Sequence, residues 1–162
     1  MAQSPIYRVS QLETSTIASK ADDTRKAYAI LRFAGDELEP YEISDLLGVG
    51  PTRAYRKGER YFAGPRAGMI TGRTGIWLLS TDGVVTGSDL DQHISYLFKL
   101  IFEHDGDRSA MLHKLIAERR LKGRVSCFWH GKAGAHPPKI PTFVVDAFER
   151  LPAEIEIDFD TD

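Results

Sequence analysis

The chain has one cysteine among 162 residues. Cys127 has no partner for an internal disulfide, so a disulfide-stapled fold is excluded, and a reducing compartment is permitted. No run of about 18 apolar residues occurs, which excludes a membrane-spanning helix. The opening stretch MAQSPIYRVSQLETSTIASK lacks a basic start followed by an apolar run. It therefore does not have the form of a secretory signal, and a cytoplasmic location is expected. An excess of one charge is missing too. Lys and Arg number 21 against 23 Asp and Glu, a formal net charge of -2. Such a chain has no global attraction to nucleic acid or anionic lipid, and either role would need a local basic patch.

What is present is patterning for one domain of ordinary size, large enough to bury a core without metal or disulfide staples. Residues 1–25 are polar, with scattered apolar residues and no period, and read as a flexible N-terminal arm. Residues 26–162 read as a single α+β domain. Lys26 to Phe33 is rich in strand formers and exits at Gly35. Pro40 suits the first turn of a helix, Ile43, Leu46 and Leu47 form its buried face, Gly48 caps it and Pro51 blocks its continuation. Ile76 to Ser80 is a short strand anchored by Trp77, and Val84 and Val85 extend it as a hairpin after the Asp82-Gly83 turn. A helix opened by Ser88 carries Leu90, Ile94, Leu97, Phe98 and Ile101 on one face. A second helix follows the break at Asp105-Gly106 and ends at Gly123, with Arg119, Arg120 and Lys122 suited to its negative end. Val125, Cys127 and Trp129 alternate with polar or outward residues as a strand. A Pro-led helix from Pro141 and an alternating strand through Ile155, Ile157 and Phe159 close the chain. The expected architecture is a small, mostly antiparallel sheet with helices on one face. Two βαβ-like halves are joined by a helical pair.

The run RFAGDELEPYEISDLLGVGPTRAYRKGE, then IWLLST, then LDQHISYLFKLI resembles a bacterial family known as domain of unknown function 4279. The matching positions are Leu47, Gly48, Val49, Pro51, Thr52, Gly58, Glu59 and Trp77, and the resemblance covers Tyr28 to Phe159. It implies an α+β domain and brings no established chemistry. On physical grounds these residues are structural: Gly48 caps, Pro51 blocks, Thr52 bonds to nearby backbone and Trp77 fills a core.

The candidate site is the long segment from Thr52 to Arg73. Arg53, Arg56, Lys57 and Arg60 lie there with Tyr55, Tyr61 and Phe62, punctuated by glycines. Cations could grip phosphates while rings stack on bases, or the segment could receive an acidic protein surface. A solvated loop is the plain alternative, since a loop this long is either functional or mobile. GMITGRTG, from Gly68 to Gly75, is not a phosphate-binding P-loop. Three residues separate the glycines rather than four, Arg73 stands where Lys is needed, and a strand follows instead of a helix.

No metal site is expected. Cys127 and His130, three apart on a strand, point to opposite faces, and His136 does not complete a ligand set. His93, His104 and His113 have no ligand at i+4 and read as surface or boundary residues. No G-x-S-x-G elbow exists, and a thiol in an apolar strand is inert. No cofactor is expected either. The stripe Glu154, Glu156, Asp158, Asp160 and Asp162 deters edge-to-edge aggregation, and it could meet the basic loop of a second copy.

The expectation is thus a non-catalytic binding domain with a protein partner, in which an immunity-like role in toxin systems fits by analogy. The alternative is a nucleic-acid or nucleotide binder through residues 52–73, which net charge disfavours, and an enzyme is the third reading. A homodimer is compatible with the sequence, and no membrane association is expected.

Overall fold

The structure is a computed structural model that describes residues 24–104 and 106–161. The expected arm, residues 1–25, lies outside them apart from Thr24 and Arg25, which begin the first strand.

Strand β1, Thr24–Gly35, is the spine of the molecule. Its side chains alternate between two environments, as a pleated strand requires. Ala27, Ala29, Leu31 and Phe33 are buried, whereas Tyr28, Ile30, Arg32 and Ala34 are half-buried. Antiparallel neighbours flank it: β5, Gly75–Ser80, on one side and β6, Lys122–Gly131, on the other. A short β2, Arg53–Tyr55, adds to β5, and β7, Ala153–Thr161, pairs parallel with β6, giving the order β2-β5-β1-β6-β7.

Complementary sizes set the inner face. Phe33 of β1 stands opposite Gly123 of β6, and small Ala27 stands opposite Trp129. A Cβ at Gly123 would lie 3.1 Å from the Phe33 ring. Each large ring thus sits across from a residue that leaves room for it, as dense packing requires.

Helices cover this face. Helix α1, Pro40–Leu47, buries Ile43 and Leu47, and its Ser44 Oγ accepts a hydrogen bond from Trp77 Nε1 at 3.0 Å. Gly48 ends it at φ 69 with its N–H donating to Ser44 O, a cap that only glycine adopts freely. Helix α2, Leu90–Phe102, presents Leu90, Ile94, Leu97, Phe98 and Ile101 inward. Helix α3, Arg108–Glu118, buries Leu112 and Ile116. Helix α4, Thr142–Arg150, crosses from β6 to its parallel neighbour β7, and Phe148 meets Phe102 edge-on. The mixed sheet with helices on one face is the expected α+β architecture.

Local corrections follow from the geometry. Asp89 rather than Ser88 caps α2, its carboxylate accepting from Asp91 N–H at 3.0 Å. Val84 and Val85 form no hairpin, only an isolated bridge between Asp82 and Val85. The second helix of the pair stops before Gly123, which is already strand. The stop is made by Arg120 at φ 54. The expected loop 52–73 contains three short strands: β2 and a separate hairpin of β3, Arg60–Phe62, with β4, Met69–Thr71.

Candidate binding face

Of the six residues singled out in the sequence, three form one stack. Tyr61 lies flat on Tyr55, ring centroids 4.0 Å apart and planes 6° from parallel. The Arg53 guanidinium sits 5.9 Å from the Tyr61 ring centre, within cation–π range. Tyr55 is buried beneath this stack. Gly72 makes the approach possible, since a Cβ there would fall 2.7 Å from the Tyr55 ring. Burial first, and the neighbouring Tyr61 hydroxyl second, push the Tyr55 phenol up to about 12. The β3–β4 hairpin is thereby seated over the β2 end of the sheet.

Two of the other three are already engaged. Arg56 pairs with Glu39 through Nε and with Glu59 at 3.1 Å through Nη1. Lys57 Nζ donates to Asp36 at 2.9 Å. These contacts hold the Asp36 carboxyl below its ordinary range, the Lys57 hydrogen bond being the largest cause, and Glu59 is lowered chiefly by the Arg56 backbone N–H. The fastening joins the loop to the acidic turn before α1. Arg60 is exposed and forms no ion pair among the described residues.

Sequence reasoning missed the other side of the sheet as a surface. Opposite the helices, register aligns Tyr28 with Phe128, Ile30 with Ser80 and Ser126, and Arg32 with Leu78 and Arg124. Tyr28 and Phe128 stack at 4.8 Å. These side chains are half-buried, except for the exposed Arg124, and none of the described helices covers them. At one end of this face, Arg32, Arg120, Lys122 and Arg124 share a groove with Asp36 and Thr74. The signal existed in the run Arg119-Arg120-Leu121-Lys122-Gly123-Arg124. Sequence reasoning assigns Arg119, Arg120 and Lys122 to the helix dipole and gives Arg124 no role. In fact Arg119 alone turns back toward α1, clasping Glu42 at 2.6 and 3.1 Å, while the other three cations belong to the groove.

The remaining candidates resolve simply. Cys127 is buried on the helix-facing side, and burial pushes its thiol up to about 12. His130 lies on the opposite side of the same strand, as its spacing required. His93 is not a surface residue. It is 1% exposed, its Nδ1 shares a hydrogen bond with Thr81 Oγ1 at 2.6 Å, and its Nε2 is 3.0 Å from Gly87 O. It thus ties the start of α2 to the end of β5. Among the described residues, no group of three His, Cys, Asp or Glu is placed to hold a metal ion. No described helix is long and apolar enough to cross a membrane.

A family model described as Domain of unknown function (DUF4279) matches residues 25–162, nearly the whole of the chain. The chain belongs to this family. No curated protein and no solved structure matches it. For this DUF4279 chain the motif residues fall where structural roles require. Thr52 Oγ1 accepts from Ser80 N–H at 2.9 Å, its own N–H donates to Leu78 O, and Trp77 is fully buried.

Proposed function

We propose that the chain is a non-catalytic binding domain of a bacterial, cytoplasmic protein, and that it recognises a protein partner through the uncovered face of its sheet. One observation carries this reading: the Tyr28–Phe128 stack lies on a face that none of the described helices covers, beside Ile30, Leu78 and Arg32. Aromatic rings and arginines are the residues that dominate protein recognition, because they combine large contact area with directional polar groups. The hairpin extends the surface with exposed Phe62, Met69 and Ile70. Neutralising a toxin-like partner is a use that fits a small acidic domain, by analogy alone. The single buried thiol suits a reducing cytoplasm. Nucleic-acid binding through residues 52–73 is the weaker reading, since Arg56 and Lys57 are already neutralised by Glu39, Glu59 and Asp36.

The test is photo-crosslinking in the source cell, with the reactive side chain placed at position 28 or, as control, at Tyr41 on the exposed side of α1. The expected result is one species captured from position 28, absent from position 41 and lost with Phe128→Ser. Identical patterns from both positions, or no species from position 28, would overturn the reading.

A further inference from the structure

The cations on this molecule are not equivalent. Arg56, Lys57 and Arg119 each hold a carboxylate within 3.1 Å. Arg32, Arg120 and Lys122 form no ion pair among the described residues. Those three line one groove of about 680 Å3, with Arg124 as the fourth cation and Asp36 as the one carboxylate among the described lining residues. Asp36 is itself engaged by Lys57.

Two features of this groove work against the stability of the free protein. First, Arg32 of β1 stands directly across the antiparallel ladder from Arg124 of β6. Side chains so placed are about 5 Å apart at Cβ, and like charges there repel. Arg124 reaches Glu156 only at 3.6 Å, and Arg32 is half-buried. Second, Arg120 occupies the left-handed region at φ 54. It ends α3 as the residue just beyond the cap, with its N–H donating to Ala117 O and that of Leu121 to Ile116 O. That bonding pattern favours glycine, and a Cβ there meets the following carbonyl. Two independent penalties, one electrostatic and one conformational, converge on a single groove.

We propose that this groove is a binding site for a small phosphate-bearing ligand, held by Arg32, Arg120, Lys122 and Arg124. Guanidinium forks match the paired oxygens of a phosphate, and the Lys122 ammonium adds a point charge. Three cations without an ion pair among the described residues call for a ligand with more than one negative charge, which favours phosphate over a single carboxylate. The groove volume is that of a small-molecule site. The overall charge of -2 opposes a long polyanion. This site stands on its own cations and needs no protein partner.

Calorimetric titration of the full chain at low salt tests it, with pyrophosphate and phenyl phosphate as probes. The expected result is one ligand per chain for at least one probe, weakening as salt rises. A tighter pyrophosphate arm points to an inorganic or diphosphate ligand, and a tighter phenyl phosphate arm to a monoester with an organic body. Arg120→Gly installs the residue that the backbone favours and Arg32→Gln removes the opposed charge. Each should bind at least tenfold more weakly while its own thermal midpoint rises, by about 2 °C for Arg120→Gly and about 1 °C for Arg32→Gln. The simultaneous gain in stability separates loss of ligand from loss of fold. Arg66→Gln, which removes the same charge elsewhere, should change neither. Absence of binding to both probes, undiminished binding by the groove variants, or equal weakening by Arg66→Gln would overturn the site.

Discussion

Two regions carry dense positive charge, and the fold treats them oppositely. In the segment from Arg53 to Thr71, Arg56 and Lys57 lie beside carboxylates from the turn before α1 and Arg53 lies over a tyrosine ring. In the groove at the β1–β6 corner, Arg32 faces another arginine and Arg120 sits on a strained backbone. The first arrangement fastens a loop to a domain. The second costs stability in the free protein, and such a cost is rational where something else is to be bound. A count of charges along the chain ranks the two regions the other way round. The segment offers four cations and two tyrosines within nine residues, Arg53 to Tyr61, whereas the groove draws its cations from β1, the α3–β6 connection and the start of β6.

The comparison can be broken from its shared foundation. Trp77→Ala removes a fully buried ring that contacts Phe33 and bonds Ser44. It should cost about 3–5 kcal/mol and loosen both regions together, as measured by denaturant unfolding. Selective damage to the loop would show that the core does not couple them. Gly72→Val is more selective. The added side chain meets the Tyr55 ring and should cost about 1–3 kcal/mol. Hydrogen exchange should rise in β3 and β4, while the amides of Leu121 to Arg124 stay protected.

Smaller effects sharpen the contrast by sign. Arg32→Gln should stabilise the free protein by a few tenths of a kcal/mol, whereas Arg56→Gln should destabilise it slightly. Both changes should shrink with added salt, more for the exposed Arg56 than for the half-buried Arg32, because screening falls with burial. Thermal melts at two ionic strengths decide this, and a loss of stability in Arg32→Gln would remove the electrostatic asymmetry.

Titration gives the last contrasts. Asp36 and Glu59 have folded pKa values below their ordinary ones. Their contribution is therefore present above the ordinary carboxylate pKa, near 4, and is lost as pH falls through the lower folded values. Acid should loosen the fastening of residues 56–59 to the turn before α1, as seen in their amide chemical shifts. For Cys127 the sign is reversed. A thiol held protonated by burial contributes below its unfolded pKa, near 8.5, and that contribution falls as pH rises toward about 12. In the folded protein at pH 8 it should resist thiol reagents, and rapid labelling would show that β6 opens.

Much of the fold was legible because its signals are local. Alternation in β1 and β6, the Pro40 and Gly48 boundaries of α1, and the apolar face of α2 each follow from residues a few positions apart. Other features were illegible for a physical reason. Arg56 and Glu39 are 17 residues apart, and Lys57 and Asp36 are 21 apart. Nothing in either segment alone shows that β2 and the turn before α1 bring them together. His93 looked like a boundary residue on a helix, because its partner Thr81 lies beyond the turn that precedes the helix.

The sequence by itself determined the class of fold, the buried faces and the membership in a family, since short-range periodicity and capping chemistry are properties of contiguous residues. It also determined that charge would be balanced over the whole chain. Tertiary structure alone decided where that balance fails. Antiparallel register set Arg32 against Arg124, and the end of α3 forced Arg120 into the left-handed region beside them. Charge is written into the chain one residue at a time, but its neutralisation depends on distance in space, and only the pairing of strands fixes that distance.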